Sequence, residues 1–312
     1  MNAIPCAARR GWLRAGLLLP LAPLGACASL PGVAPGGSTP AGRSLLERAA
    51  MAHGLDAYRP LHDVNLAYDG RWHGLVKRLQ PVLVDADYRV RSEERLLLRH
   101  GLVAQRHSGP GGEKFVLRRR FARAGEPDDP RTAPSVRVWV RGAADSDPER
   151  LAAAALVADA WPLFQFGPLH LVDSDASVDE AGTRWIDGRL CDAIAARRQP
   201  GLGEAPQDDF VLYVDRAERL MRRVRFTLNG LASTRGAIVE VDVGDYVDRH
   251  GIRWPTSFFE RLIAPIPYLP VHRWRLTGLD VNRLYRTEAL LDPTGFRAGA
   301  ADPATPLWDR AG

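Results

Sequence analysis

Apolar and polar residues alternate along several stretches of the chain, and this pattern predicts β-strands. From residue 82 to 91, and again from 136 to 141, apolar positions alternate with mostly charged ones. A period of two places one set of side chains against a core and the other in water. The remaining predicted strands are Phe115 to Phe121, Phe210 to Val214, Leu220 to Leu228, Ala237 to Val243, Val271 to Leu276 and Leu279 to Leu284. Short polar turns between them favour an antiparallel meander over β-α-β units.

Two helices carry clear terminal signals. The run from Ser44 to Glu47 is a capping box, and Gly54 can supply the left-handed residue that ends the first helix. Asp147-Pro148 starts a second, alanine-rich helix with an N-cap and a proline in its first turn. We expect Pro162 to end this helix. Because residues 151–158 are apolar on all sides of the helix, we expect other parts of the protein to cover them.

The first 27 residues show the pattern of an exported lipoprotein. Arg9, Arg10 and Arg14 precede a short apolar segment, residues 15–24. This segment is about half as long as a helix that crosses a bilayer. The following Leu24-Gly25-Ala26-Cys27 resembles the lipobox of bacterial lipoproteins, which are cut before the cysteine and acylated on it. A plain secretory cleavage site is the alternative.

The resemblance to lipoproteins implies a membrane anchor on acylated Cys27. Two or three acyl chains would hold the protein stably, at about 0.8 kcal/mol for each buried CH₂ group. Ala28 stands where such proteins carry aspartate when they are retained in the inner membrane. The resemblance therefore implies the outer membrane of a Gram-negative cell, with the domain facing the periplasm. Arg9-Arg10 also resembles a twin-arginine export signal, so Sec and Tat export both stay open.

Composition divides the chain into four predicted parts. Residues 1–26 form the signal peptide, and 27–43 form a flexible tether rich in Pro, Gly, Ser and Ala. Residues 44–297 form a single β-rich domain, and 298–312 form a loose tail. Hydrophobic residues make up 46% of the chain, which is enough for a core and excludes wholesale disorder.

Charge and cysteine content narrow the class of protein further. The formal net charge is +5, and the three signal arginines contribute three of these charges, so the mature chain carries about +2. Lys77 and Lys114 are the only lysines, and the basic pI therefore reflects a preference for arginine rather than binding of nucleic acid. Cys191 is the only cysteine left after processing and acylation. We predict that it is a small buried residue and not a nucleophile.

Short motifs in the second half resemble a known family. Tyr213-Val214-Asp215 with Leu220 and Arg222 resembles a hairpin of LolA-like periplasmic proteins. Tyr246 followed by Gly251-Ile252-Arg253-Trp254-Pro255 resembles another recurring strand of that family. The resemblance implies a mainly β (α+β) fold of the LolA and LolB type, a strongly curved antiparallel sheet or half-barrel with a few helices on its concave side. It also implies an apolar cavity for acyl chains.

Aromatic residues are the candidates for lining such a cavity, because apolar pockets are built this way. They are Trp161, Phe164, Phe166, Trp185, Tyr213, Phe226, Trp254 and Trp274. The alternative is that most of them are ordinary core residues. We expect the segment from Trp161 to Phe166 to form a lid over the cavity. The apolar loop from Pro265 to Pro270 is a candidate rim of the cavity that touches a membrane or a partner. Alternatively, its prolines only prevent another strand from pairing with the sheet edge.

Other chemistry has little support in the sequence. Two arginine clusters could bind lipid phosphates, namely Arg118-Arg119-Arg120 and Arg222-Arg223-Arg225. We favour the alternative that they form a solvated, ion-paired surface. The histidines show no metal-binding spacing, and no catalytic or nucleotide-binding motif is present. We therefore expect no metal and no cofactor. The favoured function is non-catalytic binding of a lipid or lipoprotein acyl chain; the alternatives are an interaction lipoprotein with a protein or cell-wall partner and, less favoured, a hydrolase.

Overall fold

The computed structural model describes residues 30–31, 37–120, 134–284, 293 and 296. The predicted signal peptide, Cys27, residues 28–29 and 32–36 of the predicted tether, and the predicted C-terminal tail lie outside the described residues. Within them, no helix combines the length and the apolar character that crossing a bilayer requires.

The described residues form fifteen strands, all paired in antiparallel fashion. They are β1 (Asp63–Trp72), β2 (Arg91–Leu97), β3 (Leu102–Gly109), β4 (Gly112–Arg119), β5 (Ser135–Val140), β6 (Ala143–Asp145), β7 (Ser177–Ile186), β8 (Arg189–Arg198), β9 (Asp208–Asp215), β10 (Met221–Leu228), β11 (Ala237–Gly244), β12 (Val247–Arg249), β13 (Ile252–Trp254), β14 (Ser257–Ala264) and β15 (Leu269–Val281).

Thirteen of these strands form one open sheet, in the order β6-β5-β4-β3-β2-β1-β15-β14-β11-β10-β9-β8-β7. The sheet therefore consists of two meanders, which meet where β1 pairs with β15. Strands β12 and β13 form a separate hairpin. The edge strands β6 and β7 do not pair with each other, so the sheet is not closed. The predicted mainly β, open antiparallel fold is confirmed.

Six α-helices accompany the sheet in the described part of the chain. They are α1 (Pro40–His53), α2 (Leu55–Tyr58), α3 (Gly74–Leu79), α4 (Pro81–Val84), α5 (Pro148–Phe166) and α6 (Pro168–Val172). Helix α1 begins four residues before the predicted capping box, because the Thr39 hydroxyl accepts a hydrogen bond from the Gly42 N–H and caps it. It ends as predicted at Gly54, whose φ of 97° is left-handed.

Helix α5 starts as predicted and ends later than predicted. The Asp147 carboxylate accepts a hydrogen bond of 2.9 Å from the Arg150 N–H and caps the first turn. The helix then continues through Pro162 to Phe166, so the prediction that Pro162 ends it was wrong. Proline removes one backbone hydrogen bond. Burial of residues 153–156 and of 158–166 offsets this loss, and the segment from Trp161 to Phe166 is part of a buried helix rather than an irregular lid.

The predicted strand over residues 82–91 was wrong. Pro81 lies in the first turn of α4, and Asp85 ends that helix in the left-handed region with φ 50°. The turn that follows is held in place because the Arg89 guanidinium donates a 2.7 Å hydrogen bond to the Leu83 carbonyl. The Trp72 indole N–H donates to the Arg89 carbonyl at 2.8 Å. Tertiary contacts have overridden the alternating pattern.

The predicted strand pair between Val271 and Leu284 is a single long strand, β15. In the pairing of β15 with β1, Ala67 of β1 lies opposite Gly278 and Tyr68 lies opposite Leu276. Thr277 is therefore the extra residue of a β-bulge, and the Thr-Gly pair that predicts a turn bends the strand instead of ending it.

The sheet curves around α5. Asp159 of α5 binds Arg118 on β4, and Phe164 of the same helix contacts Phe226 on β10, with 5.3 Å between ring centres. Strands β4 and β10 are seven places apart in the sheet, about 34 Å if the sheet were flat. A helix with its side chains is only about 10–12 Å wide. Both contacts are therefore formed only if the sheet bends, with α5 on its concave side.

Five arginines of the two clusters are ion-paired, as predicted, but one of them, Arg118, is not at the surface; the five are Arg118, Arg120, Arg222, Arg223 and Arg225. Arg118 is buried with Asp159 between sheet and helix. Arg222 pairs with Asp215 and Glu218, and Arg225 donates two hydrogen bonds to the buried Glu240. The part of the prediction that put Arg118 in solvent was wrong, because its carboxylate partner comes from a distant helix.

Candidate functional site

A cavity of about 400 Å³ lies between the concave face of the sheet and helices α3, α4 and α5. This volume is within the range of about 300–1,000 Å³ that is typical of small-molecule sites. Its walls are mainly apolar, with residues from each of these elements: Trp72, Val76, Leu83, Val84, Leu156, Val157, Ala160, Trp161, Phe164, Phe226, Leu228, Ala237, Val239, Leu262, Leu269 and Val271.

The mouth of the cavity lies where the lining residues reach solvent. Leu79 at the end of α3 is 45% exposed, and Ile266 in the loop between β14 and β15 is 41% exposed. The Gln80 amide donates to the Ser233 carbonyl at 3.1 Å, and the Ser233 hydroxyl donates back to the Gln80 side-chain oxygen at 3.1 Å. This reciprocal pair joins the junction of α3 and α4 to the loop between β10 and β11.

Three side chains in the cavity wall are ionisable: Arg89 and Glu260, which are partly buried, and Arg235, which is exposed. The Arg89 guanidinium lies over the rings of Trp72 and Trp161, at 4.7 and 5.9 Å from their centres. Burial lowers the pKa of Arg89, although carboxyl groups of Asp85, Glu260 and Glu94 counteract this. Burial raises the pKa of Glu260 to about 7. The cavity thus combines an apolar body with one polar region.

Aromatic rings stack behind this polar region. The His272 ring lies parallel to that of Trp72, with 3.8 Å between their centres, and stacks on Trp274 at 4.7 Å on its other side. Phe258 stacks on Trp274 at 5.0 Å. Burial and the nearby Arg89 hold the pKa of His272 well below its usual range, so the ring is neutral at neutral pH. The stack supports the cavity wall at Trp72 from behind.

The structure brings only some of the predicted site residues together. Trp161, Phe164 and Phe226 line the cavity. Trp274 stacks on Trp161 at 5.1 Å and supports the wall from behind. We therefore retain Trp161 and Phe164 as candidate ligand contacts.

Four predicted residues lie elsewhere, and their assignment to the cavity is corrected. Phe166 and Trp254 pack on each other in the core, with 5.9 Å between ring centres. Tyr213 packs with Cys191 on the opposite face of the sheet, because successive side chains of a strand alternate between faces. Trp185 on the edge strand β7 is 67% exposed.

Sequence reasoning missed Trp72, Arg89 and Glu260. Trp72 is at the end of a strand, Arg89 lies in a turn, and Glu260 is a charged residue on the same face of its strand as the buried Phe258. They are far apart in the sequence, so no local pattern connects them. The sequence offers one weak signal of such a site, a charged residue between two apolar ones. Glu260 fits this signal only in part, because Phe259 precedes it and Arg261 follows it.

Other reactive groups in the described residues form no second site. Cys191 is buried as predicted, and burial raises the pKa of its thiol to about 11. Among residues 37–120 and 134–284, no three His, Cys, Asp or Glu side chains converge in a way that could hold a metal ion.

Comparison with known proteins gives similarity in structure only. No protein-family model matches the sequence, and no curated protein matches it. Similar solved structures include a DUF1329 family protein from Desulfovibrio piger, at 12% identity and a TM-score of 0.49, covering 82% of this chain and 98% of that one. A domain assigned to outer-membrane lipoprotein sorting from Vibrio parahaemolyticus is 8% identical, with a TM-score of 0.40 and coverages of 80% and 96%. A LolA superfamily protein from Nitrosomonas europaea is 13% identical, with a TM-score of 0.39 and coverages of 78% and 94%.

Proposed function

We propose that this protein binds a hydrophobic ligand, a lipid or a lipoprotein acyl chain, in the cavity between α5 and the sheet, without catalysing a reaction on it. One observation carries the proposal: a cavity of about 400 Å³ lies between α5 and the sheet and is lined mainly with apolar side chains. Such walls gain free energy when an apolar ligand replaces water, at about 25 cal/mol for each Å² removed from water.

The proposal includes an anchor on acylated Cys27 at the envelope membrane, with the domain in the periplasm. The roughly twelve residues from Cys27 to the helix cap at Thr39 reach at most about 40 Å, even when fully extended. That length keeps the cavity close to a membrane surface, from which an acyl chain can enter without crossing much water.

Binding of a small fluorescent apolar probe, 1-aminoanthracene, to the full chain tests the proposal. Ala160 lines the cavity on α5, so Ala160→Phe fills part of it with an apolar ring. We expect this variant to lose probe binding and to keep its melting temperature. The matched control is Ala144→Phe at an exposed position of β6, which should bind like the wild type. Equal binding by Ala160→Phe and the wild type would contradict the proposal.

A second candidate function is docking to another envelope protein. The observation that favours it is an exposed apolar group near the cavity mouth: Leu75 and Leu79 on α3, and Ile266 and Tyr268, the last 71% exposed. Crosslinking in cells from position 268 should then trap one dominant protein, and the trapped protein should disappear when Leu75 and Leu79 are both replaced by serine.

A further inference from the structure

We infer that the ligand of the cavity is a single-chain amphiphile with a carboxylate headgroup, such as a fatty acid, and that Arg89 in the cavity wall binds this carboxylate. The inference rests on the proposed function and adds the chemical class of the ligand to it.

The position of Arg89 is the first support. Its guanidinium faces the cavity, is flanked by the rings of Trp72 and Trp161, and makes one hydrogen bond to a described residue, the one to the Leu83 carbonyl. A guanidinium has five N–H donors in a planar fork, which matches the two oxygens of a carboxylate. Donors are therefore available on a side chain that its aromatic neighbours hold in a fixed orientation.

The charge of Arg89 has little compensation from the protein, which is the second support. Asp85 accepts a 2.6 Å hydrogen bond from Lys114 and is already paired. Burial raises the pKa of Glu94 to about 8, so this side chain is mostly uncharged at neutral pH. The nearby His107 and His272 are neutral, since burial holds the pKa of each well below its usual range. A buried cation without a full counter-charge favours an anionic ligand.

Glu260 is the remaining ionisable group that faces Arg89. Among the described residues, no hydrogen bond or ion pair reaches its carboxyl group, and burial places its pKa at about 7. In the protonated form this group can donate its O–H to one ligand oxygen while Arg89 donates to the other. An arriving anion favours the protonated form, because two negative charges at short distance repel each other.

The rest of the cavity indicates the chemistry of the ligand's other end, its tail. Beyond Arg89 and Glu260 the walls are mainly aliphatic and aromatic, up to the mouth at Leu79 and Ile266. An ammonium headgroup would be repelled by Arg89, and an uncharged alcohol would leave the guanidinium uncompensated. A carboxylate on an alkyl chain matches both regions.

Calorimetric titration of the full chain with decanoate, decanol and decyltrimethylammonium tests the inference. These probes share an alkyl chain of the same length and differ in the charge of the headgroup. We expect decanoate to bind at least about tenfold more tightly than decanol, since a hydrogen bond to a charged group contributes about 1.5–3 kcal/mol. Decyltrimethylammonium should bind most weakly. This comparison uses the wild-type protein and does not depend on the folding of a variant.

Two variants and a control then assign the headgroup site. Arg89→Gln should lose the preference for decanoate and keep the affinity for decanol, while Glu260→Gln, which retains an N–H donor, should keep the preference. Arg78→Gln, at an exposed position of α3 outside the cavity, is the matched control and should behave as the wild type. Equal affinities for decanoate and decanol in the wild type would overturn the inference and leave the proposed function standing. Failure of every alkyl chain to bind would overturn both.

Discussion

The guanidinium of Arg118 on β4 donates two hydrogen bonds, of 3.1 and 2.9 Å, to the carboxylate of Asp159 in α5, and both side chains are buried. The same carboxylate accepts a third hydrogen bond, of 2.9 Å, from the Gly203 N–H. This pair ties the long helix to the first meander, while aromatic contacts such as Phe164–Phe226 tie it to the second. The position of α5, and with it the cavity, depends on both ties.

Replacing one member of the Arg118–Asp159 pair should destabilise the fold strongly. Asp159→Ala removes the buried carboxylate paired with Arg118, which then keeps the Gly203 carbonyl and the exposed Glu204 as partners. We expect a loss of about 3–5 kcal/mol in the free energy of unfolding. The double variant Arg118→Met with Asp159→Leu removes both charges and should lose much less. Urea unfolding at neutral pH measures both. A single variant that is as stable as the double one would show that the pair is not a tie between helix and sheet.

Acid should destabilise the protein through His53. Its Nδ1–H donates to the Ala49 carbonyl at 2.8 Å, its Nε2 accepts from the Met221 N–H at 3.3 Å, and burial lowers its pKa from 6.5 to about 4. The unfolded chain therefore binds one more proton than the native state between these pH values, and stability falls as pH falls through this window. The slope is about 1.4 kcal/mol per pH unit for one proton.

The variant His53→Gln checks this contribution, because glutamine does not titrate. His107, His170 and His272 are also buried with lowered pKa values, so a slope should persist in the variant. Between pH 4 and 6.5 we expect the free energy of unfolding to change less steeply with pH in the variant than in the wild type. The difference in slope should correspond to about one proton, or about 1.4 kcal/mol per pH unit. An unchanged slope would mean that His53 does not titrate in this window.

The Gln80–Ser233 pair should control how fast a ligand leaves the cavity. Gln80→Ala removes two hydrogen bonds across the mouth, each contributing about 0.5–1.5 kcal/mol. We expect release of 1-aminoanthracene to become about three- to tenfold faster in a stopped-flow displacement experiment. Gln199→Ala is the control, since Gln199 forms a similar exposed pair with Gln207 at 2.7 Å and does not line the cavity. Equal release rates for wild type and Gln80→Ala would exclude a gate at this position.

The predicted lipid anchor can be tested independently of the cavity. In cells fed labelled palmitate, Cys27→Ser should lose the label and leave the membrane fraction. Cys6→Ser should keep both, because Cys6 is expected to leave with the signal peptide. A Cys27→Ser protein that stays labelled and membrane-bound would place the anchor elsewhere.

The periodic parts of the fold were predictable from the sequence, because the strands Ala237–Gly244 and Ser135–Val140 contain alternating apolar and polar residues. The short helix at Pro81–Val84 and the length of α5 were not, since contacts with distant residues decide both. The candidate site was predictable only at large aromatic residues, namely Trp161, Phe164 and Phe226. Alternation does not reveal which face of a strand is covered, so Tyr213 and Trp185 were placed wrongly.

The pairing of β1 with β15 has a consequence for how the chain folds. Val64 lies opposite Val281, so the centre of the sheet closes only when almost the entire domain is available for folding. Until then the early meander presents an unpaired strand edge, which is a site of aggregation in many proteins. Joining segments so distant in sequence carries a large entropic cost and slows folding. We therefore expect docking of the two meanders to be the slow step of maturation, and expect a chaperone that shields strand edges to accelerate it.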